Sequence, residues 1–124
     1  MIKKYKFQKA SRLCKKKDFQ FVYKTGRTFV DYAGIFYVID SLEDGPAKIG
    51  IAAGKKLGNA VKRNRIKRLM REVYRNFQHY IKDGKKIIWI ARKPLVDKDL
   101  SFFKKAFFRL SKKSGVFLEE ENKK

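Results

Sequence analysis

The residues best suited to chemistry in this chain are cations concentrated between Lys55 and Arg75. This stretch holds nine Lys or Arg residues and a single acid, Glu72. Such side chains neutralise phosphates and release counterions, and the flat Arg guanidinium also stacks on bases. Asn64 stands uncharged between two arginines, which suggests a specific hydrogen bond rather than bulk charge. A merely solvated helix surface usually carries mixed charges, so this imbalance favours a surface that binds a polyanion.

The sequence contains no visible catalytic set. The single histidine, His79, falls on the polar face of a predicted helix, with no Cys or carboxylate at ligand spacing, so we interpret it as solvent-facing. The single cysteine, Cys14, has no partner for a disulfide or a metal and no visible base. The acids are scattered among turns, a helix start and the C-terminal residues. If the protein takes part in catalysis, its partner must supply the chemistry.

The composition predicts one folded domain. The chain has 124 residues, of which 44% are hydrophobic and eleven are Phe, which a disordered basic tail would not have. A net charge of +21 destabilises a small compact chain unless a polyanion neutralises it. Nucleic acid is the leading partner and an anionic membrane surface the second, although no long apolar segment is present. The N-terminus lacks the apolar core of a signal peptide, so we expect a cytoplasmic location.

The elements follow in the order α-β-β-β-α-β-α. This order predicts an α+β fold, a single-domain α/β sandwich with helices packed on a four-stranded sheet. The turn at 41–46 predicts that the strands on either side pair as an antiparallel hairpin. Residues 1–15 read as a basic arm or, equally, a frayed tail, and 116–124 as a second frayed tail. The first predicted helix covers 16–24, the second runs from the Asn59 cap to about 81, and the third begins after Asp97 or Ser101 and ends at 114–115. The predicted strands lie within 27–40, 47–53 and 86–91.

Hydrophobic periodicity assigns the inner face of each element. The strand at 86–91 is apolar on both faces and is therefore predicted at the centre of the sheet. In the first helix, spacing favours core packing for Phe19 and Tyr23, and leaves Phe21 as an alternative buried ring. Asp97 or Ser101 is expected to cap the last helix. The core stripe of the long helix comprises Ile66, Leu69, Met70, Val73, Phe77, Tyr80 and Ile81.

The order of residues in the basic stretch is more specific than its charge. Gly58, then Asn59-Ala60-Val61, then Arg63-Asn64-Arg65 and Lys67-Arg68 resembles the signature of the protein subunit of bacterial ribonuclease P. Three other segments agree with it. These are Arg12-Leu13 with Lys17-Asp18-Phe19, then Ile49-Gly50-Ile51, and finally Ile87 to Arg92. The resemblance covers nearly the whole chain, roughly residues 8 to 113.

The resemblance implies a non-catalytic subunit of a ribozyme. In this family the catalytic RNA removes the 5′ leader of precursor tRNA by Mg²⁺-dependent hydrolysis. The Mg²⁺ is held mainly by the RNA partner and the substrate, with no protein-bound cofactor. The implied partners are the catalytic RNA, with one protein per RNA, and precursor tRNA, but no membrane. The family's strand–helix–strand crossover is of the unusual left-handed kind.

The family also implies two sets of contact residues. The set expected on the catalytic RNA is Lys55, Lys56, Asn59, Arg63, Asn64, Arg65, Lys67, Arg68 and Arg71. The set expected on the unpaired leader is Arg12, Lys16, Phe19, Tyr23 and Tyr37. The family commonly has Phe at the position of Tyr23, so a ring is kept there. The competing hypotheses are a general basic RNA- or DNA-binding protein, such as a ribosomal protein, and a free-standing nuclease, which the missing catalytic set disfavours.

Overall fold

The computed structural model describes residues 12–13, 15–41 and 45–118, and it has the predicted α+β architecture. Short 3₁₀ turns follow β3, α2 and β4. The helices are α1 (Lys16–Thr25), α2 (Ala60–Phe77) and α3 (Leu100–Ser114), and the strands are β1 (Arg27–Asp31), β2 (Gly34–Asp40), β3 (Lys48–Ala52) and β4 (Lys85–Ala91).

The four strands lie in the order β1-β2-β4-β3. Strands β1 and β2 form an antiparallel hairpin, β2 and β4 are antiparallel, and β3 and β4 are parallel neighbours. The predicted pairing of the strands around 41–46 is therefore wrong, although those strands do run in opposite directions. The reason is that β4 is apolar on both faces and takes the buried position between them. A turn reverses the chain locally but does not decide which strand becomes the neighbour.

Helix α2 connects the parallel strands β3 and β4, so the three elements form the strand–helix–strand crossover. The left hand of this crossover stays a prediction. Within the described ranges, no helix is long and apolar enough to cross a membrane.

One face of the sheet carries the main core. Helix α2 packs on β3 and α3, and α3 packs on β1 and β2. Phe36, Trp89 and Phe107 are fully buried between these layers, with the Trp89 and Phe107 rings 4.9 Å apart. Alternate residues of β4 point to this face, as the period of a strand requires.

The opposite face is covered by α1, which contacts β2 and β4. Here Val22 and Ile88 are fully buried, whereas Phe19 and Tyr37 are only partly buried. Tyr23 is 40% exposed, so the predicted core packing is wrong for this ring, and Phe21, the alternative buried ring, is 57% exposed, so that alternative is also wrong. The second face is therefore much less completely sealed than the first.

The helix ends differ in detail from the sequence-based expectation. Asp99, rather than Asp97 or Ser101, caps α3, since its carboxylate accepts a 3.1 Å hydrogen bond from the Phe102 amide. In α2 the α-helical winding stops at Phe77 and a 3₁₀ turn follows. This change of winding leaves Tyr80 exposed instead of on the core stripe.

The described parts of the two predicted tails are packed. The Leu13 amide donates a 3.0 Å hydrogen bond to the Ile49 carbonyl, so residues 12–13 follow β3. Val116 is fully buried, and Phe117 forms an antiparallel bridge with Ile81. Three parts of the predicted tails lie outside the described residues, namely 1–11, Cys14 and 119–124.

Candidate RNA interface

The N-terminal end of α2 is fixed by two residues that precede it. The Asn59 side chain accepts a 3.0 Å hydrogen bond from the Lys62 amide, which is the predicted N-cap. Gly58 has φ +135°, a backbone conformation that residues with a Cβ rarely adopt, and a Cβ there would lie 2.9 Å from the Lys62 side chain. The Gly58-Asn59 pair therefore sets the direction in which the basic helix leaves the preceding loop.

The cations of α2 form an exposed surface with little internal neutralisation. The single acid of the helix, Glu72, forms an ion pair with Arg75. Within the described part of the chain, Arg68 and Arg71 make no ion pair and both are exposed. The residues predicted to contact the catalytic RNA continue this surface into the preceding 3₁₀ turn. Exposed members are Lys55, Lys56, Asn59, Asn64, Arg65, Arg68 and Arg71, and half-buried members are Arg63 and Lys67.

Arg65 also has a structural contact. One of its terminal nitrogens donates a 3.1 Å hydrogen bond to the Lys98 carbonyl, in the loop before α3. That loop contains Asp97, which has a positive φ of 63°. Arg65 therefore links the basic helix to the loop before α3 and remains exposed to solvent.

A groove of about 180 Å³ lies where α1 meets the edge strand β3. Its lining residues are Arg12, Leu13, Phe19, Ile49, Gly50, Ile51, Lys67 and Arg71. The groove thus combines an aromatic ring from α1, a strand edge and two cations from α2. Arg12 and Phe19 come from the predicted leader set, and Lys67 and Arg71 from the predicted catalytic-RNA set. The structure brings together side chains that the sequence had assigned to two separate surfaces.

Gly50 is one of the groove residues that belong to neither predicted contact set. A Cβ at Gly50 would lie 2.4 Å from the Phe19 Cζ, so the Phe19 ring rests directly on the strand backbone. The signal was present in the sequence, because a glycine between Ile49 and Ile51 inside a strand indicates a close approach to the backbone. Which side chain made that approach could not be read from the sequence.

Tyr23 and Tyr37 extend the aromatic surface beside the groove. Their ring centroids lie 5.0 Å apart in an edge-to-face arrangement, and Tyr23 lies 6.4 Å from Phe19. Burial raises the pKa of Tyr23, and the neighbouring Tyr37 raises it further. The Tyr23 hydroxyl therefore stays protonated at neutral pH, and its ring can offer an uncharged surface to a base. Lys16 is exposed in the first turn of α1 and does not line the groove.

His79 is exposed and its ring lies 4.2 Å from that of Tyr80, in agreement with a surface position. Within residues 12–13, 15–41 and 45–118, no three His, Cys, Asp or Glu side chains are grouped so that they could hold a metal ion. The described side chains therefore offer a charged and aromatic binding surface.

The fold and the charge distribution are those of a small basic α+β protein suited to binding RNA. The family model of ribonuclease P matches residues 7–115 of the chain. The ribonuclease P protein component of Bacillus pumilus is 37% identical over 116 residues, which cover 94% of this chain and 98% of that protein. The chain belongs to the ribonuclease P family as a protein subunit of that ribonucleoprotein, and the resemblance seen in the sequence is confirmed.

Solved structures agree with this assignment. The Staphylococcus aureus RNase P protein is 37% identical, with a TM-score of 0.80 over 88% of this chain and 99% of that one. The Thermotoga maritima RNase P protein is 27% identical, with a TM-score of 0.74 over 82% of this chain and 96% of that one. The fold is therefore shared with relatives that are only 27% to 37% identical to this chain.

Proposed function

We propose that this subunit binds the catalytic RNA through the basic surface of α2 and binds the 5′ leader of precursor tRNA in the groove beside α1. The observation that carries the proposal is the cluster of Phe19, Lys67 and Arg71 around Gly50. An unpaired strand needs stacking surfaces and phosphate contacts at close quarters, and this groove supplies both. The groove lies directly against the helix that carries the proposed catalytic-RNA surface.

In this proposal the catalytic-RNA surface comprises Lys55, Lys56, Asn59, Arg63, Asn64, Arg65, Lys67, Arg68 and Arg71. The leader surface comprises Arg12, Lys16, Phe19, Tyr23 and Tyr37. Lys67 and Arg71 lie at the junction, so they would neutralise phosphates of both RNAs as these converge. Such shared cations would draw the leader towards the catalytic RNA, because each phosphate contact lowers the repulsion between the two strands.

The chemistry in this proposal belongs to the RNA. Mg²⁺ supplies the charge stabilisation for phosphodiester hydrolysis, and it is held mainly by the catalytic RNA and the substrate. The protein's residues orient the leader and neutralise its charge. We propose one protein per catalytic RNA, no membrane partner, and a cytoplasmic location where precursor tRNA is available.

The test is reconstitution with a bacterial ribonuclease P RNA at low Mg²⁺. We expect the protein to restore cleavage of precursor tRNA and to cleave nothing alone. A variant with Lys56→Ala and Arg68→Ala should bind the RNA more weakly. The slope of the logarithm of the binding constant against the logarithm of the salt concentration should become shallower by about one for each lost phosphate contact. The control Lys24→Ala with Lys93→Ala removes the same charge from other exposed positions.

Equal losses in both double variants would contradict a specific α2 surface and favour a general nucleic-acid-binding protein. Failure to restore cleavage with wild-type protein would contradict the proposed assistance of the ribozyme reaction.

A further inference from the structure

A second groove, of about 440 Å³, lies on the outer side of α3 against the end of α2. Its lining residues are Phe77, Lys104, Lys105, Phe108 and Arg109, and we call it the α3 groove. None of these residues belongs to the catalytic-RNA or leader surface proposed above. The α3 groove differs from the groove at Gly50 in being lined almost entirely by apolar atoms.

The two rings that line the α3 groove pack on other aromatic rings and remain at least partly exposed to solvent. Phe77 is stacked on the buried ring of Phe107, with centroids 6.0 Å apart. Phe108 is 42% exposed and rests edge-on against Phe117 at 5.2 Å. Tyr80, 43% exposed, is stacked on the other side of Phe117 at 5.7 Å. A row of supported and exposed rings is a costly surface for a protein to leave in water, which points to a ligand.

The charge around these rings has one sign. Helix α3 carries five Lys or Arg residues and no acid. Arg109 is neutralised by Asp31, to which it donates hydrogen bonds of 2.8 and 2.9 Å. Within the described part of the chain, Lys104 and Lys105 make no ion pair, and they border Phe108 directly. The partner should therefore carry negative charge and also present flat apolar surfaces.

We propose that the α3 groove binds unpaired nucleotides of the catalytic RNA. Bases would stack on Phe108 and Phe77, and Lys104 and Lys105 would contact the flanking phosphates. A peptide with only acidic side chains would contact the lysines but would have no flat ring to stack on Phe108. We favour the catalytic RNA over the leader because α2 and α3 pack against each other in one layer, whereas the leader groove lies beside α1. This source of the RNA rests on the proposed function.

The test is photo-crosslinking in the assembled ribonucleoprotein, with 4-thiouridine placed either in the catalytic RNA or in the precursor tRNA. We expect catalytic-RNA crosslinks in the peptide that contains Lys105 and Phe108, as well as in α2. Crosslinks in α2 alone would overturn the inference and leave the proposed function intact. Crosslinks to α3 from the precursor alone would also overturn it. Absence of crosslinks to both helices would remove the proposed function as well.

Two variants measure the contribution of the groove. Phe108→Leu keeps an apolar contact with Phe117 but removes the ring. Lys104→Gln with Lys105→Gln removes the charge of one half-buried and one exposed lysine. We expect each to weaken binding of the catalytic RNA about tenfold, Phe108→Leu through one lost stacking contact and the lysine pair through two lost phosphate contacts. The charge-matched control Lys24→Gln with Lys93→Gln should bind as the wild type does. Unchanged affinity in both α3 variants, with melting temperatures also unchanged, would overturn the inference.

Discussion

The two faces of the sheet are built to different degrees of completeness. Among the described residues, twenty buried hydrophobic side chains form the core under α2 and α3, whereas only three form the cluster under α1. On the first face the large rings of Trp89 and Phe107 are fully enclosed. On the second face Phe19 and Tyr37 remain partly open. The first face therefore supplies most of the stability, and the second is free to present rings to a ligand.

This difference bears on how so basic a chain can fold. Twelve of the 33 Lys and Arg residues lie in α2 and α3, over the well-sealed core, where apolar burial offsets their mutual repulsion. The α1 face contributes less to stability, so its rings can be positioned for contact rather than for packing. The following predictions test this difference between the well-sealed face under α2 and α3 and the α1 face, whose rings are proposed to bind the leader.

The largest expected effect is the loss of protein stability when a side chain of the core under α2 and α3 is truncated. Phe107→Ala should lower the free energy of unfolding by about 3–5 kcal/mol, since the ring is buried among Phe36, Tyr74 and Trp89. Chemical denaturation measures the change. Phe19→Ala, on the opposite face, should cost less than about 2 kcal/mol because its ring is only partly buried. Equal losses would show that the two faces do not differ in this way.

A smaller effect is expected from adding a methyl group at Gly50, beneath the Phe19 ring. Gly50→Ala places a Cβ against the Phe19 ring and should cost about 1–3 kcal/mol in stability. It should also weaken binding of precursor tRNA while leaving the affinity for catalytic RNA unchanged. Gly54→Ala is the matched control, because a Cβ there meets nothing within 4 Å. Displacement of Phe19 would be visible by NMR, and an undisturbed ring would contradict the close packing.

Phe19 and Phe21, both in α1, allow a comparison between a ring inside the groove and an exposed ring outside it. Phe19→Ala should weaken binding of leader-bearing precursor tRNA about tenfold and leave mature tRNA unaffected. Phe21→Ala removes an even more exposed ring from the same helix, outside the groove, and should change neither. Titrations of both tRNAs at one salt concentration make the comparison. Equal losses for precursor and mature tRNA would remove the leader groove from the proposal.

The smallest expected effect concerns the ion pair that fastens α3 to the β1–β2 hairpin. Hydrogen bonds from Arg109 and from the Ala33 amide hold the pKa of Asp31 below its ordinary value of 3.8. A lowered folded-state pKa stabilises the fold at pH values above the unfolded pKa, and this stability is lost as the pH falls through the folded pKa. Asp31→Asn should therefore cost about 1 kcal/mol at pH 7.

Stability curves of wild type and Asp31→Asn, measured from neutral pH to acid, should converge as the pH falls below the folded pKa of Asp31. A constant difference across this range would mean that the carboxylate charge is not the cause. The same pair of curves shows whether the hairpin is secured mainly by this contact or by the buried core beneath it.

The sequence predicted the elements well because their signals are local. Apolar spacing located α2 and α3, the Asn59 cap marked where α2 begins, and the doubly apolar β4 indicated a central strand. Strand pairing was harder, because it depends on which surfaces compete for burial. The strands before and after 41–46 do run in opposite directions, but β4 rather than β3 is the neighbour of β2. The choice of Asp99 as the α3 cap likewise depended on where the preceding loop turned.

In the candidate site, too, some properties follow from the sequence alone and others depend on the tertiary structure. Charge, aromatic content and the Gly58 to Arg68 motif determined that this chain belongs to the ribonuclease P proteins and would meet RNA, because those properties reside in residue type and spacing. Only the tertiary structure decided that Phe19 lies on the Gly50 backbone beside Lys67 and Arg71. It also decided that Phe108 lines a groove while the adjacent Phe107 is buried. These outcomes depend on which faces the folded layers cover, and sequence spacing does not specify the partner that covers each face.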